Sequence, residues 1–297
     1  MLRGAALAAL VFAAPAAAQD NWRDPAPHTA HYVTVARGVK LHYLDFGGRG
    51  PALIFLAGLG NTAHAWDTFA PAFTDRFRVI AITRRGFGES SHPWEGYETR
   101  RLVADILALM DSLHIRRASF VGHSIAGEEL TRLAANYPGR VEKLVFLEGA
   151  YDRVRANDLI RLDSVPVPKG EVSHAAMTAA DTATAGAYVD YVHRSRGVNI
   201  PDADIRTRYR YDGWNENITL AATSLDVETP PYRRVRAPAL AVYAVNDASD
   251  ELYAKLRAEF KSQVARGEVL ELHGAHHWIF LSNRDEVLSA TRRFLLR

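Results

Sequence analysis

The sequence predicts an α/β fold: a doubly wound, mostly parallel sheet with a helical cap inserted between late strands. Two early segments, HYVTV and VKLHYLDFG, alternate apolar and polar residues, as half-buried antiparallel strands do. Further along, nearly continuous apolar runs rich in β-branched residues alternate with stretches of helical periodicity. The chain has 297 residues, enough for one large α/β domain or two small ones.

The first half of the chain supplies most of the predicted sheet. Strands covered on both faces are predicted at ALIFLAG, FRVIAIT, RRASFVGH and VEKLVFLEG. A helix is predicted from Thr99 to Ile115, because its apolar residues recur at helical spacing. A second helix runs from about Ile125 to Tyr137 and ends at Pro138 and Gly139.

Residues 152–235 interrupt this alternation with polar, helix-like pieces divided by proline and glycine. The alternation resumes with the strand PALAVYAVND, a helix from about Ser249 to Gln263, the strand EVLELHG and a closing helix from Arg284 to Leu296. Because the interruption falls between two strands of one sheet, we interpret it as an inserted cap rather than a separate domain. The core domain that carries this sheet then comprises residues 19–151 and 236–297.

Residues 1–18 have the three-part layout of a bacterial secretory signal. A positively charged start, MLR, precedes the short apolar run GAALAALVFAAP and small residues that predict cleavage after Ala18. The mature protein is therefore expected in the periplasm or outside the cell. No other apolar stretch approaches ~18 residues, so no stable membrane anchor is expected after cleavage.

Composition excludes several classes of protein. The formal net charge is only +2, so a nucleic-acid partner is not expected. Cysteine is absent, which excludes thiol catalysis, cysteine-based zinc sites and a lipoprotein anchor. The expected partner is a small-molecule substrate, and the sequence leaves the oligomeric state open.

Three polar residues follow predicted strands, where sites form in a doubly wound sheet. Ser124 lies in FVGHSIAGEE, Asp247 follows PALAVYAV, and His277 follows the last strand. Serine needs an adjacent base to lose its proton, histidine has a suitable proton affinity, and a carboxylate fixes the histidine tautomer. Nucleophile, acid and base therefore occur in the order Ser, Asp, His, which predicts a catalytic triad.

Each of these assignments has an alternative. Ser124 would also suit a helix N-cap, although the small residues around it favour a tight strand-to-helix turn. Asp250 and Glu148 are rivals to Asp247 for the acid, and Glu148 ends the preceding strand. His276 is the rival to His277, and the two together do not have the spacing of a metal site.

Three segments together resemble the α/β-hydrolase superfamily, and the resemblance covers nearly all of the mature chain. LAGLGNTAHAW is similar to the oxyanion loop, with Ala57 in place of the usual histidine. RRGFGESS matches a family motif whose aspartate is replaced by Thr83, and HGAHHWIF resembles the closing segment, with His276 at a glycine position. The elbow pattern Gly-x-Ser-x-Gly is altered too, with Ala126 at its last glycine.

The resemblance implies an oxyanion hole made by the backbone amides of Leu59 and Ile125. Asn61 is either an additional side-chain donor or a turn residue. Glu128 and Glu129 either stabilise the start of their helix or border the pocket. No metal and no organic cofactor is expected.

The predicted activity is hydrolysis of a small-molecule carboxylic ester through an acyl-enzyme on Ser124. Serine at the elbow argues against the epoxide hydrolase and haloalkane dehalogenase chemistries of this fold, which use aspartate there. Hydrolysis of a lactone, thioester, amide or carbon–carbon bond stays open, as does a non-catalytic binding protein that kept the fold. Aromatic residues of the cap are candidates for binding substrate, above all Tyr188, Tyr191 and Trp214.

Overall fold

The computed structural model describes residues 22–156, 177–211, 228–245 and 250–297. Its centre is an eight-stranded sheet with the strand order β1-β2-β4-β3-β5-β6-β7-β8. The strands are β1 Thr29–Ala36, β2 Val39–Gly47, β3 Ala52–Leu56, β4 Arg78–Ile82, β5 Ala118–His123, β6 Val141–Leu147, β7 Ala239–Val245 and β8 Gly267–His273.

The pairing of the strands confirms the predicted sheet. β1 pairs antiparallel with β2, and β2 pairs antiparallel with β4. Every other neighbouring pair, from β4–β3 to β7–β8, is parallel. The carboxyl ends of six strands therefore meet at one edge of the sheet, which is where a doubly wound sheet forms its site.

Helices cover both faces of the sheet. They are α1 Thr99–Ser112, α2 Ala126–Asn136, α3 Ala185–Arg196, α4 Asp202–Tyr211, α5 Asp250–Gln263, α6 Ile279–Ser282 and α7 Arg284–Leu296. Successive side chains of β3 point to opposite faces of the sheet. Ile54 packs on one face, in a core with residues of α1 and α2. Phe55 points to the other face and packs with Trp66 and with residues of α7. Because helices cover both faces of the sheet, its strands are buried and rich in β-branched residues.

The two helices α3 and α4 lie between β6 and β7, where the cap was predicted. They share a small apolar core that contains Val192 and Ile205. The side chain of Asp204 ties α4 to the core domain: it accepts hydrogen bonds from Asn61 Nδ2 at 2.7 Å and from the backbone N–H of Thr62 at 2.6 Å. The cap is thus anchored directly on the loop that follows β3.

Parts of the predicted organisation lie outside the described residues. These parts are the signal sequence at residues 1–18 and the cap segments 157–176 and 212–227. The bounds of the signal sequence, of the cap and of the two parts of the core stay predictions. In the described ranges, none of the helices combines the length and the hydropathy needed to cross a bilayer.

Candidate active site

Ser124 occupies a sharp turn between β5 and α2. Its backbone φ is 54°, in the left-handed region that a residue with a side chain rarely adopts. Its N–H donates to the carbonyl of Leu147 at the end of β6, at 3.0 Å, which holds the turn at the carboxyl edge of the sheet. A strained serine between a strand and a helix is the geometry of a nucleophile elbow.

The packing around the elbow explains its altered glycine pattern. A Cβ on Gly122 would lie 2.7 Å from a methyl of Leu130 and 3.1 Å from the Cβ of Ala126, so the glycine keeps this contact open while the alanine already fits. A Cβ on Gly127 would lie 1.5 Å from the carbonyl oxygen of Gly149. The position that must be glycine is therefore Gly127, one residue later than in the usual pattern.

His277 lies in the loop between β8 and α6 and faces Ser124. Its Nε2 is 3.1 Å from the Oγ of Ser124, and its Nδ1 is 3.2 Å from the Oε2 of Glu148. In the tautomer with the proton on Nδ1, the ring donates to Glu148 and accepts from the serine hydroxyl. Serine, imidazole and carboxylate thus form a continuous line of hydrogen bonds, which is the arrangement that lets a histidine remove a serine proton.

Glu148 is the carboxylate that contacts His277 within the described part of the chain. It directly follows β6, its φ is 52°, and its residue is buried. Its second oxygen, Oε1, accepts from the hydroxyl of Tyr151 at 2.6 Å and from the N–H of Ala244 at 2.7 Å. These two donors leave only Oε2 free to face the imidazole. Burial, and secondly the nearby Glu148 charge, raise the pKa of Tyr151 well above its usual value, so the phenol stays a donor.

Asp247, the residue favoured for the acid from the sequence, lies outside the described residues. Its rival Glu148 contacts His277 Nδ1, and the role of Asp247 stays a prediction. Asp250, the other rival, begins α5. Because β6 and β7 are neighbours and parallel, residues that follow either strand emerge at the same edge of the sheet.

His123 supports the loop that carries His277. Its Nε2 is 3.0 Å from the backbone carbonyl of His277, and the two ring centroids are 4.7 Å apart. Burial, and then the charge of the neighbouring His277, hold the pKa of His123 well below its usual value, so the ring is neutral and Nε2–H donates. His276 points elsewhere: its ring stacks on Trp278, and its Nδ1 accepts from the Trp278 N–H at 3.3 Å.

The predicted oxyanion loop approaches the elbow closely. A Cβ on Gly58 would lie 2.7 Å from Nδ1 of His123 and 3.3 Å from the Cβ of Ser124, so only glycine lets the loop come this near. Leu59 follows Gly58, and Ile125 follows the nucleophile at the N-cap position of α2. The role of both residues as oxyanion donors stays a prediction.

A buried ion pair behind this loop was missed by the sequence analysis. The guanidinium of Arg84 binds both carboxylate oxygens of Glu129, and it also donates to the carbonyl of Ala57 at 3.0 Å. Arg84 is 6% exposed and Glu129 is 3% exposed. The pair therefore fixes the start of the oxyanion loop against α2. The double arginine in TRRGFG was the available signal.

Contacts give partners to Glu128 and Asn61, whose roles the sequence left open. Glu128 pairs with Arg153 at 2.9 Å, and burial raises its pKa above the usual range. Asn61 donates its side-chain N–H to Asp204, so it anchors the cap. Neither Glu128 nor Glu129 is explained by the charge of the helix N-terminus alone, since each has a guanidinium partner.

The predicted substrate-binding aromatics divide into two groups. Tyr188 and Tyr191 are half-buried, stack on each other at 6.4 Å between centroids, and pack against the cap core together with Trp278 and Leu281. They therefore lie where the cap meets the segment that follows His277. Trp214 lies outside the described residues, and the substrate-binding role of all three cap aromatics stays a prediction.

Comparison with known proteins agrees with the fold. A profile of the family described as alpha/beta hydrolase fold matches residues 51–283, which is most of the chain. Together with the mostly parallel sheet and the elbow, this match identifies the class of the protein. The chain belongs to the alpha/beta hydrolase fold family.

Individual relatives are similar over parts of their length. Bifunctional epoxide hydrolase 2 of Mus musculus is 37% identical over 119 residues, which is 39% of this chain and 21% of that protein. A bifunctional esterase/perhydrolase of Acinetobacter calcoaceticus is 36% identical over 109 residues, 36% of this chain and 40% of that protein. The matches thus span well under half the length of these relatives.

Solved structures are similar over nearly the whole chain. The crystal structure of E-2-(acetamidomethylene)succinate hydrolase superimposes with a TM-score of 0.71 at 22% identity, covering 91% of this chain and all of that one. At this level of identity the likeness supports the shared fold.

Proposed function

We propose that this protein is a serine hydrolase that cleaves a small-molecule carboxylic ester through an acyl-enzyme on Ser124. The observation that carries the proposal is the line of hydrogen bonds from Ser124 Oγ through His277 to Glu148. Ser124 is partly exposed at the carboxyl edge of the sheet, so a substrate can reach its hydroxyl. The name of the Acinetobacter calcoaceticus relative, an esterase/perhydrolase, is consistent with this chemistry.

In the first half of the proposed reaction, His277 Nε2 takes the proton of Ser124 as Oγ attacks the ester carbonyl carbon. Glu148 stabilises the imidazolium that forms, through Nδ1–H. The carbonyl oxygen becomes an oxyanion that the N–H groups of Leu59 and Ile125 would bind, each worth about 3 kcal/mol. His277 then gives its proton to the leaving alkoxide, which departs as the alcohol.

In the second half, a water molecule attacks the acyl-enzyme while His277 Nε2 accepts one of its protons. Collapse of the second tetrahedral intermediate breaks the bond between the acyl carbon and Ser124 Oγ, and His277 returns its proton to Oγ. One ester and one water thus give one carboxylic acid and one alcohol. Protein groups carry every step, so the proposal needs no cofactor.

Epoxide hydrolysis is disfavoured despite the similarity to an epoxide hydrolase. Enzymes of this fold that open epoxides use an aspartate at the elbow, and this chain has Ser124 there with a histidine at hydrogen-bonding distance. Lactones, thioesters, amides and carbon–carbon bonds are reached by the same nucleophile, and we rank the ester first because an alcohol leaves easily.

A panel of chromogenic esters of increasing acyl length, with lactone, thioester, amide and epoxide substrates beside it, tests the proposal. We expect hydrolysis of esters by the wild-type protein and a loss of at least about 10⁴-fold in kcat for Ser124→Ala. Glu142→Gln, a change at an exposed position on β6, is the matched control and should keep wild-type rates. Ester hydrolysis by Ser124→Ala at a rate near that of the wild type would refute the acyl-enzyme.

We further propose that the protein is exported, on the basis of the signal-like residues 1–18. N-terminal sequencing of the protein from the cell envelope and the medium should find Gln19 first. A cytosolic protein that begins at residue 1 or 2 would contradict this proposal.

A further inference from the structure

Four ligand-type side chains converge at a place that the proposed reaction does not use. Asp24 and His28 precede β1, whereas His64 and Asp67 belong to the short 3-10 turn after the oxyanion loop. One ligand atom from each of the four lies within 4.8 Å of every other. Two segments that are distant in sequence thus bring two imidazoles and two carboxylates to one point.

Four distances between ligand-type atoms of these residues are close to the edge of a tetrahedron of metal ligands. Asp24 Oδ2 is 3.0 Å from His28 Nε2 and 3.0 Å from His64 Nδ1. Asp67 lies 3.0 Å from His64 Nδ1 through Oδ2 and 3.7 Å from His28 Nε2 through Oδ1. Zinc–nitrogen and zinc–oxygen bonds of about 2.0–2.1 Å give a tetrahedral edge of about 3.3 Å, which lies among these values.

Hydrogen bonding alone satisfies the cluster poorly. His64 Nδ1 can carry one proton, yet it faces a carboxylate oxygen of Asp24 and one of Asp67 at the same distance. The side chain of Asp67 is 4% exposed, and its Oδ1 has no hydrogen-bond partner among the described residues. A buried carboxylate oxygen without a partner is costly unless another charge neutralises it.

The neighbourhood already orients two of the four groups. The N–H of Ala26 donates to Oδ1 of Asp24 at 2.9 Å and so turns Oδ2 towards the cluster. The ring of His42 stacks on that of His64, with 5.8 Å between centroids, and fixes the plane of the ligand. Contacts that hold ligands in place are a regular feature of metal sites.

We propose that Asp24, His28, His64 and Asp67 form a structural Zn²⁺ site. Two carboxylates and two neutral imidazoles balance the charge of one divalent cation, and the mixed nitrogen and oxygen donors in tetrahedral spacing suit zinc. Four protein ligands leave no open position, so the ion would hold structure rather than activate water. It would clamp the segment before β1 onto the turn that follows the oxyanion loop. This proposal departs from the expectation, based on the sequence alone, that the protein binds no metal.

The test uses the full mature chain, first stripped with a chelator and then titrated with Zn²⁺ alone by calorimetry. We expect one Zn²⁺ per chain with micromolar or tighter affinity. At a concentration 100-fold above the dissociation constant, Zn²⁺ should raise the melting temperature by about 5 °C. Co²⁺ in place of Zn²⁺ should give the intense visible absorption typical of four-coordinate cobalt.

Variants then locate the ion. His28→Gln and Asp67→Asn should each lose Zn²⁺ binding at least tenfold, whereas His31→Gln, an exposed histidine three residues from His28, should bind as the wild type does. The wild-type titration and the cobalt spectrum decide the matter even if a variant folds poorly. Absence of binding to the stripped wild-type protein would overturn the proposal and leave a hydrogen-bonded cluster. A Zn²⁺ affinity equal to that of the wild type in both His28→Gln and Asp67→Asn would overturn it too. Neither readout depends on ester hydrolysis.

Discussion

Replacing Glu148 by glutamine tests the acid of the proposed triad, because the change exchanges only one carboxylate oxygen for an NH₂ group. Glutamine has the shape of glutamate, so the two donors that bind Oε1, Tyr151 and the N–H of Ala244, would keep the amide oxygen at that place. The amide NH₂ must then take the position of Oε2, 3.2 Å from Nδ1 of His277. A donor at this position requires Nδ1 to accept, which moves the ring proton to Nε2.

The size of the effect follows from this change of tautomer. With its proton on Nε2, His277 can no longer accept the hydroxyl proton of Ser124 across the 3.1 Å contact. In a serine protease, a reversed histidine tautomer with intact geometry lowers kcat roughly 10⁴-fold, which is about 5.5 kcal/mol of transition-state stabilisation. We expect a loss of this size in Glu148→Gln, with a melting temperature within a few degrees of wild type.

The assay is kcat and KM on the best ester of the panel, for Glu148→Gln, Asp247→Asn and the exposed control Glu142→Gln. If Glu148 is the acid, only Glu148→Gln loses kcat strongly, with little change in KM, because the acid touches the base and not the substrate. A large loss in Asp247→Asn together with a loss below tenfold in Glu148→Gln would refute the assignment.

Three further changes test other parts of the site. Gly127→Ala places a Cβ 1.5 Å from a backbone carbonyl oxygen and should lower the free energy of unfolding in denaturant by about 3 kcal/mol. The control Gly139→Ala, whose Cβ meets open space, should leave the free energy of unfolding almost unchanged. Equal effects of the two changes would contradict the packing described at Gly127. Glu129→Gln leaves the charge of Arg84 buried and should cost about 3–5 kcal/mol of stability, so a change below about 1 kcal/mol would count against the ion pair. The pKa of His123 is depressed in the folded state, so protonation favours unfolding as the pH falls below about 6.5. His123→Asn should therefore reduce the slope of the free energy of unfolding against pH in that range by up to about 1.4 kcal/mol per pH unit. Parallel curves for the wild type and the variant would refute this.

The fold was predictable because its local signals agree with its packing. Strands buried on both faces are continuous apolar runs, and the closing helix has the predicted bounds, Arg284–Leu296. The helix predicted from Thr99 to Ile115 ends at Ser112 instead, and His114 just beyond it adopts a φ of 56°. Helical periodicity continues through Leu113, but the left-handed backbone breaks the helix there.

The serine and the histidine of the candidate site were predictable from their order along the chain. The acid was not, because two neighbouring strands each end at a suitable carboxylate. Ser124 and His277 follow β5 and β8, and the structure brings them to hydrogen-bonding distance. Glu148 and Asp247 follow two adjacent parallel strands, so sequence order admits either one. The left-handed backbone of Glu148 and its contact with Tyr151 have no sequence motif that would have favoured it.

Contacts between distant loops carry no local signal at all. The anchor of the cap joins Asn61 to Asp204, 143 residues apart in the chain. The proposed zinc ligands come from two separate loops in the same way. Periodicity reports the face of a strand or helix, but it contains no information about which loops meet.

The central claim is that Ser124 is an activated nucleophile, and covalent labelling tests it most directly. Intact-protein mass spectrometry after incubation with a fluorophosphonate should show one adduct per folded wild-type chain, located on Ser124, and none on Ser124→Ala. A folded wild-type protein without an adduct, or equal labelling of Ser124→Ala, would contradict the account.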